Sequence, residues 1–319
     1  TGVIDGGAGN DTLNYSMSNE EIQIQLTGQG MIDGFNGVEL GNPPSNQPSS
    51  IGCFKNIDVL VGTGGGNDTL ETVDQRTHWD LGGDVSGFGL TPSLADTGLL
   101  IADEADLSLT GNASAIGRPT GANPIVPNAA TEQDLAWTDF ENLVGAATAA
   151  DRFDLRVGAT LSGTIDGRGH GLQGDSLDYR DWGAANPVTV DLTTGSATAI
   201  NTAGTPPDLV PGTGGAADGS SIDNVFGGDA NDTITGDDDN NILGDGFGNE
   251  TLIGGAGDDV FRLEPGANES GGASDDQLFD IEGCDTVDFR FATAGITIAM
   301  DINDTPQDVM TGVAGAQNV

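Results

Sequence analysis

Residues 218–262 consist of five consecutive nine-residue blocks in one register, and this periodicity restricts the possible folds more than any other feature. The blocks read DGSSIDNVF, GGDANDTIT, GDDDNNILG, DGFGNETLI and GGAGDDVFR. The eighth position is always apolar, and the sixth always carries a side-chain oxygen. The sixth-position residues are Asp223, Asp232, Asn241, Glu250 and Asp259. Because one short repeat cannot bury its apolar face alone, the pattern predicts a solenoid of stacked coils.

The chemistry of each block favours a turn followed by a short strand. Glycine accepts positive φ angles, so the turn can fold tightly and direct its carbonyl oxygens toward the sixth-position side chain. Oxygens from two neighbouring turns can then surround one cation. Calcium accepts six to eight oxygens at irregular geometry, whereas magnesium requires a near-octahedral shell. Two blocks make one coil, which predicts that Ile234 stacks on Leu252 and Leu243 on Phe261.

Isolated copies of the pattern occur elsewhere in the chain. Residues 6–14 read GGAGNDTLN, residues 63–71 read TGGGNDTLE, and weaker copies precede Leu177 and Val287. The weaker copies have an incomplete glycine pattern, so a turn without a metal ion remains an alternative there. The predicted ligands for several calcium ions are Asp11, Asp68, Asp175, Asp223, Asp232, Asn241, Glu250, Asp259 and Asp285.

The sequences GGAGNDTLN and GGAGDDVFR resemble the RTX (repeats-in-toxin) hemolysin-type calcium-binding family. The resemblance covers residues 218–262 strongly and residues 6–14 and 63–71 as short islands; other regions resemble the long β-strand repeats of giant bacterial surface proteins. It implies a parallel β-roll with calcium between turns, type I secretion and folding outside the cell. The chain departs from the family motif at Asn241 and Glu250, which implies weaker sites there.

A longer repeat is marked by asparagine before an apolar residue, at Asn56, Asn142, Asn224 and Asn318. The intervals between successive members of this series are similar, since their sequence numbers differ by 86, 82 and 94. We therefore expect one continuous solenoid over residues 1–319, divided into long repeats of approximately 1–55, 56–141, 142–223 and 224–319.

The predicted fold class is an all-β, right-handed parallel β-roll or β-helix solenoid with loops on one side. Alternating segments predict strands at residues 22–26, 188–192 and 296–300. Proline-bearing inserts at 41–50, 117–128 and 203–217 recur at the same position within the long repeat. In a solenoid, insertions at one such position emerge as loops on one face. Flexible linkers between separate domains are the alternative for these inserts. Residues 129–136 form the best helical candidate.

The charge balance restricts the partners of the chain. Asp and Glu total 50 against 9 Lys and Arg, for a formal net charge of −41. Such a chain lacks the basic footprint that binds nucleic acid or an anionic membrane, and no apolar run is long enough for membrane insertion. Because this charge causes self-repulsion in a compact state, we expect either bound divalent cations or adaptation to high salt. Cys53 and Cys284 are expected to be free thiols.

The sequence carries no motif of an enzyme. Its histidines are His78 and His170, and both are expected to be structural. We therefore expect an extracellular or cell-surface structural protein of bacterial type: a fibre, an adhesin stalk or a surface-layer component. The alternatives are a calcium-binding module of a secreted polysaccharide-active enzyme, a lyase or epimerase, and a glycan- or ice-binding adhesin region.

Self-association is expected because the two ends would continue the repeat spacing if one copy of the chain followed another. In a copy that followed Val319 directly, Asp11 would come as far after Asn318 as Asp68 comes after Asn56 within the chain. The expected partners are other copies of the chain end to end, as tandem repeats or stacked subunits, and glycans or a cell surface are further candidates.

Overall fold

The computed structural model describes residues 2–40, 52–63, 67–72, 77–83, 86, 93, 95–102, 134–169, 174–202, 207–211, 221–263, 274–279, 283–289 and 307–311. The regular elements named within these ranges are β-strands, and none of the described residues is in an α-helix. The described residues accordingly include no helix that is long and apolar enough to span a bilayer. The all-β prediction is confirmed.

The strands fall into two compact units. The first unit contains β1 (Val3–Asp5), β2 (Thr12–Asn14), β3 (Gln23–Gln29), β4 (Phe35–Glu39), β5 (Cys53–Ile57), β6 (Val59–Val61), β7 (Thr69–Glu71), β8 (Thr77–Leu81), β9 (Thr97–Ala102), β10 (Asp134–Thr138), β11 (Asn142–Val144), β12 (Arg152–Leu155) and β13 (Ile165–Asp166). The second unit contains β14 (Ser176–Asp178), β15 (Thr189–Asp191), β16 (Ser196–Ala197), β17 (Asn224–Phe226), β18 (Thr233–Thr235), β19 (Ile242–Gly244), β20 (Thr251–Ile253), β21 (Val260–Arg262), β22 (Ser274–Phe279), β23 (Thr286–Asp288) and β24 (Gln307–Thr311). The four long repeats and the single continuous solenoid stay predictions.

The second unit is built on two parallel ladders, as the nine-residue period predicts. One ladder runs β14-β17-β19-β21-β23, and the other runs β15-β18-β20-β22. Ile234 pairs with Leu252 and Leu243 with Phe261, so the predicted stacking is confirmed. These four side chains are at most 2% exposed. They form the thin apolar centre of a parallel β-roll; its handedness and the side on which its loops emerge stay predictions.

The first unit contains two sheets, with strand orders β1-β5-β4-β3-β7-β11-β13 and β2-β6-β10-β9-β8-β12. A row of fully buried side chains, Ile24, Leu70, Leu143 and Ile165, stacks across the first sheet. In the second sheet, the Trp79 ring stacks on Phe153 at 5.9 Å and meets Trp137 edge-on at 6.3 Å. Long apolar rows and aromatic contacts therefore stabilise this unit.

Antiparallel pairs interrupt the parallel ladders, which the solenoid prediction did not include. They join β3 to β4, β4 to β5, β8 to β9, β9 to β10, β15 to β16, and β22 to β24. The helical candidate at 129–136 is wrong for its described part, because Asp134–Thr138 is strand β10, pairing with both β9 and β6. Of the predicted strands, 22–26 and 188–192 coincide with β3 and β15, whereas 296–300 lies outside the described residues. Most of the proline-bearing inserts also lie outside them.

The repeated asparagine bridges successive coils. In the first unit, Asn142 Nδ2 donates to the carbonyl oxygen of Asp68 at 3.2 Å, and its Oδ1 accepts the N–H of Thr164 at 3.1 Å. Asn224 makes the equivalent two hydrogen bonds in the second unit. An amide is suited to this position, since it donates to one coil and accepts from the next. Asn318 lies outside the described residues.

Candidate metal centre

Five of the predicted ligands form a single row at the turns that precede the first ladder of the second unit. The N–H of Asp175 donates to Asp223 Oδ2 at 2.7 Å, and the N–H of Asn241 donates to Asp259 Oδ1 at 2.8 Å. The N–H of Asp259 donates in turn to Asp285 Oδ1 at 3.1 Å. The row therefore includes the weaker copies at Asp175 and Asp285 despite their incomplete glycine pattern.

Within this row, Asp259 and Asn241 use their side chains differently. Asp259 is buried, and its Oδ2 has no hydrogen-bond partner among the described residues. Burial, reinforced by the negative charges of Asp285, Asp237 and Asp258, raises the pKa of Asp259 to about 6. Asn241 instead exchanges hydrogen bonds with Asp237, accepting from its N–H at 2.8 Å and donating to its Oδ1 at 3.2 Å. An ionised Asp259 needs a cation, whereas the neutral amide of Asn241 does not.

Asp232 belongs to the opposite turns, before the second ladder. Its Oδ1 accepts the N–H of Val188 at 2.8 Å, and its Oδ2 accepts the N–H of Gly228 at 2.7 Å. Burial still raises the pKa of Asp232 to about 6. Each oxygen keeps a second lone pair, so Asp232 holds two coils together and can also face a cation.

Three carboxylates converge one coil further along these turns. One ligand oxygen from each of Asp245, Glu250 and Asp276 lies within 4.8 Å of the others, and the residues are 1%, 1% and 0% exposed. Burial, followed by the hydrogen bond and charge of Asp276, raises the pKa of Glu250 to about 12. Glu250 Oε1 is buried and has no hydrogen-bond partner among the described residues. Three acids packed together at this depth are poorly stable as ions without a positive charge between them.

Backbone oxygens of the neighbouring coil crowd the same turn. A Cβ atom at Gly248 would lie 2.5 Å from Glu250 Oε1 and 2.6 Å from the carbonyl oxygen of Ala230. A Cβ atom at Gly246 would lie 1.9 Å from the carbonyl oxygen of Gly228. Both glycines have positive φ angles, +137° and +85°. The turn therefore combines carboxylate and carbonyl oxygens, which is the ligand chemistry that calcium prefers, and these residues fit that ion.

Comparison with known protein families agrees with this geometry. The profile of the RTX calcium-binding nonapeptide repeat (four copies) matches residues 3–16, 218–244 and 245–269. The chain carries RTX calcium-binding repeats. No curated protein matches the chain. The second unit thus contains a calcium-binding repeat module. The matched segments include the turns of Asp223, Asp232, Asn241, Glu250 and Asp259, whereas Asp175, Asp276 and Asp285 lie outside them.

The RTX repeat near the start of the chain places Asp11 beside two further acids. The N–H of Asp11 donates to Asp58 Oδ2 at 2.9 Å, and the N–H of Gly9 donates to Asp33 Oδ2 at 2.9 Å. Asp11 Oδ2 and Asp33 Oδ1 are buried atoms without hydrogen-bond partners among the described residues. Burial raises the pKa of Asp58, and the charges of Asp33 and Asp11 add to this effect.

Asp68 lies elsewhere in the first unit and resembles Asp232. Its Oδ1 accepts the N–H of Ile22 at 2.9 Å, and its Oδ2 accepts the N–H of Thr63. The N–H of Asp68 donates to Glu141 Oε2 at 2.7 Å, and burial raises the pKa of Glu141 to about 7 despite that hydrogen bond. Asp151 makes the same paired contacts, with the N–H groups of Thr77 and Ala146.

Sequence reasoning missed Asp245, Asp276, Asp58 and Asp33 as members of acidic clusters. Asp245 occupies the first position of its block, which is glycine in three of the five blocks. Asp276 lies outside the nine-residue register, although Asp276-Gln277-Leu278 repeats the pattern of an acid two residues before an apolar residue. That short signal could have identified Asp276, but it is too common in this acidic chain to be specific.

Proposed function

We propose that the chain is a non-catalytic structural module of an extracellular protein and that bound calcium stabilises its repeats. The convergence of Asp245, Glu250 and Asp276 in a buried turn carries this proposal. Ligand binding to the native state stabilises it in proportion to affinity and concentration, so calcium outside the cell would favour folding there. The net charge of −41 acts in the same direction, because bound divalent cations reduce self-repulsion.

The proposal that the chain has no catalytic activity is supported by the environment of His78. Its side chain is 0% exposed, and its Nε2 lies 2.8 Å from Asp154 Oδ2. A histidine held in this way supports the strands that carry it rather than reaching a substrate. His170 lies outside the described residues. Cleavage of a uronic-acid polymer by the chain, abolished by His170→Ala, would contradict the proposal.

Fibre, adhesin-stalk and surface-layer roles would all use a rigid module of this type. The export route, the glycan or cell-surface partners and the end-to-end association of copies stay predictions.

Calcium dependence of the fold is the direct test of the proposed function. Far-UV circular dichroism of the full chain should lose β signal after dialysis against a chelator and regain it when calcium is added. Magnesium at the same concentration should restore less signal, because its smaller, octahedral shell suits these turns poorly. Identical spectra with chelator and with calcium would refute the role of calcium.

A further inference from the structure

The strand that follows the repeat block continues its second ladder after a change of spacing. Thr233 pairs with Thr251 at the regular interval of one coil, but Thr251 pairs with Gln277, which lies further along the chain than that interval predicts. Residues 263–273 lie between β21 and β22 in the sequence. Strand β22 therefore takes the place of the next coil, although its residues lie beyond the matched RTX repeats, which end at residue 269.

Two hydrogen bonds hold β22 beside Glu250. The N–H of Gln277 donates to the carbonyl oxygen of Glu250 at 2.8 Å, and the N–H of Glu250 donates to Asp276 Oδ1 at 3.1 Å. This register directs the Asp276 carboxylate against that of Glu250 and adjacent to Asp245. The packing of β22 thus brings a third buried acid into a turn that already contains two.

We propose that one calcium ion is bound by Asp245, Glu250 and Asp276 and that it attaches β22 to the RTX repeats of residues 218–262. This inference rests on the calcium-binding role proposed above and assigns it a specific ligand set. Two of the three ligands come from one repeat, and the third comes from a segment outside the repeats. Calcium binding at this site is therefore coupled to the docking of β22. The repeats within residues 218–262 cannot form the site alone.

Two independent observations point to a cation here. Glu250 Oε1 is buried among these acids without a hydrogen-bond partner among the described residues, so it has a free coordination position. The missing Cβ of Gly248 leaves room where Glu250 Oε1 and the Ala230 carbonyl oxygen approach each other. Three carboxylates and a carbonyl form a hard-oxygen ligand set, and its irregular arrangement favours calcium over magnesium.

The number of bound ions and the protection of β22 test this site in the full chain. Inductively coupled plasma mass spectrometry after equilibrium dialysis should show one calcium ion fewer per chain in Asp276→Asn and in Glu250→Gln than in the wild type. Hydrogen exchange should show that calcium protects the backbone amides of residues 274–279 in the wild type and not in Asp276→Asn. The matched control is Asp238→Asn, which removes one charge from an exposed position in the preceding nine-residue block and should leave both readouts unchanged.

The outcomes separate this inference from the proposed function. If Asp276→Asn keeps the wild-type number of ions and the same calcium-dependent protection of β22, the site is refuted while calcium binding by the repeats stands. A wild-type chain that binds no calcium refutes both. If circular dichroism shows that Asp276→Asn does not fold at saturating calcium, Asp245→Asn replaces it, because that change leaves β22 intact. Loss of one ion from folded Asp245→Asn then supports the site, and no loss overturns it.

Discussion

Acidic side chains at the sixth position of the repeats use their oxygens in two ways. Asp68 and Asp232 accept backbone N–H groups with both oxygens. Glu250 and Asp259 each have one buried oxygen without a hydrogen-bond partner among the described residues. A carboxylate at the same position of the repeat therefore binds backbone N–H groups in one coil and keeps an oxygen free to coordinate a cation in another. The difference depends on which amides lie next to the carboxylate.

The raised pKa of Glu250 predicts how stability depends on pH without calcium. Its folded pKa of about 12 lies above the ordinary value of 4.5, so the folded state retains a proton that the unfolded state loses. This contribution is complete below about pH 4.5 and decreases as the pH rises toward the folded pKa, by at most about 1.4 kcal/mol per pH unit. Far-UV circular dichroism of the calcium-free chain should therefore show more β signal at pH 5 than at pH 8.

The variant Glu250→Gln isolates this contribution from the general self-repulsion of an acidic chain. Without calcium, it should show a smaller loss of β signal between pH 5 and pH 8 than the wild type, because glutamine does not titrate. An equal decrease in both proteins would show that Glu250 is not responsible.

Glycine is required at Gly246 by both conformation and space. Its φ angle is +85°, and an added Cβ would lie 1.9 Å from the carbonyl oxygen of Gly228. Gly246→Ala should therefore lower the free energy of unfolding at saturating calcium by more than about 1–2 kcal/mol, the cost of a left-handed residue alone. Gly183→Ala is the matched control, because nothing lies within 4 Å of its Cβ position, and it should change stability by less than about 0.5 kcal/mol. Equal effects of the two substitutions would contradict this explanation.

At the scale of the element, the strands of the nonapeptide block are too short to be stable alone. Each of β17 to β21 contains three residues, and its central apolar side chain is buried. Stability arises from stacking of these side chains between neighbouring coils and from the turns that place them in register. A defect in one coil should therefore weaken the coils on either side.

Leu252 gives a direct test of this stacking. It is fully buried and pairs with Ile234 on one side and Leu278 on the other. Leu252→Ala should destabilise the folded chain by about 2–5 kcal/mol in chemical denaturation at saturating calcium, because it leaves a cavity between two coils. The neighbouring substitution Thr251→Ala, on the less buried side of the strand, should cost much less. A small effect of Leu252→Ala would show that the coils are stabilised mainly by their turns.

At the scale of the whole molecule, the repeats of the second unit and the strands near Asp68 and Asp151 in the first unit should respond differently to calcium. The second contains the acidic turns of the RTX block, whereas Asp68 and Asp151 in the first unit have oxygens that accept backbone N–H groups. Hydrogen exchange in the presence of a chelator should therefore accelerate more for amides of β18 to β21 than for those of β7, β11 and β12. Equal acceleration in both sets of strands would show that calcium stabilises them equally.

Much of the repeat block could be predicted from the sequence. The nine-residue period predicted the stacking of Ile234 on Leu252 and of Leu243 on Phe261, because apolar residues at a constant interval must meet when identical coils stack. Glycine and aspartate in the turns indicated calcium through their local conformational and ligand chemistry. The RTX resemblance, carried by the same residues, is confirmed by the family match.

Other features depend on register between distant segments. The antiparallel pairing of β8 with β9 and of β9 with β10 was missed, because alternation within a strand does not specify its neighbours. Asp276 was missed because residues 264–273 lengthen the interval between paired strands, and no local signal shows where the ladder resumes.

The amino-acid sequence by itself determined the repeat, its turn chemistry and its apolar centre, since these depend on residues within one or two blocks. Only the tertiary structure decided which acids converge and which are held by backbone amides. The reason is physical: a carboxylate's behaviour depends on the groups within a few ångströms of it, and for Glu250 those groups include Asp276, which belongs to a strand beyond the repeat block.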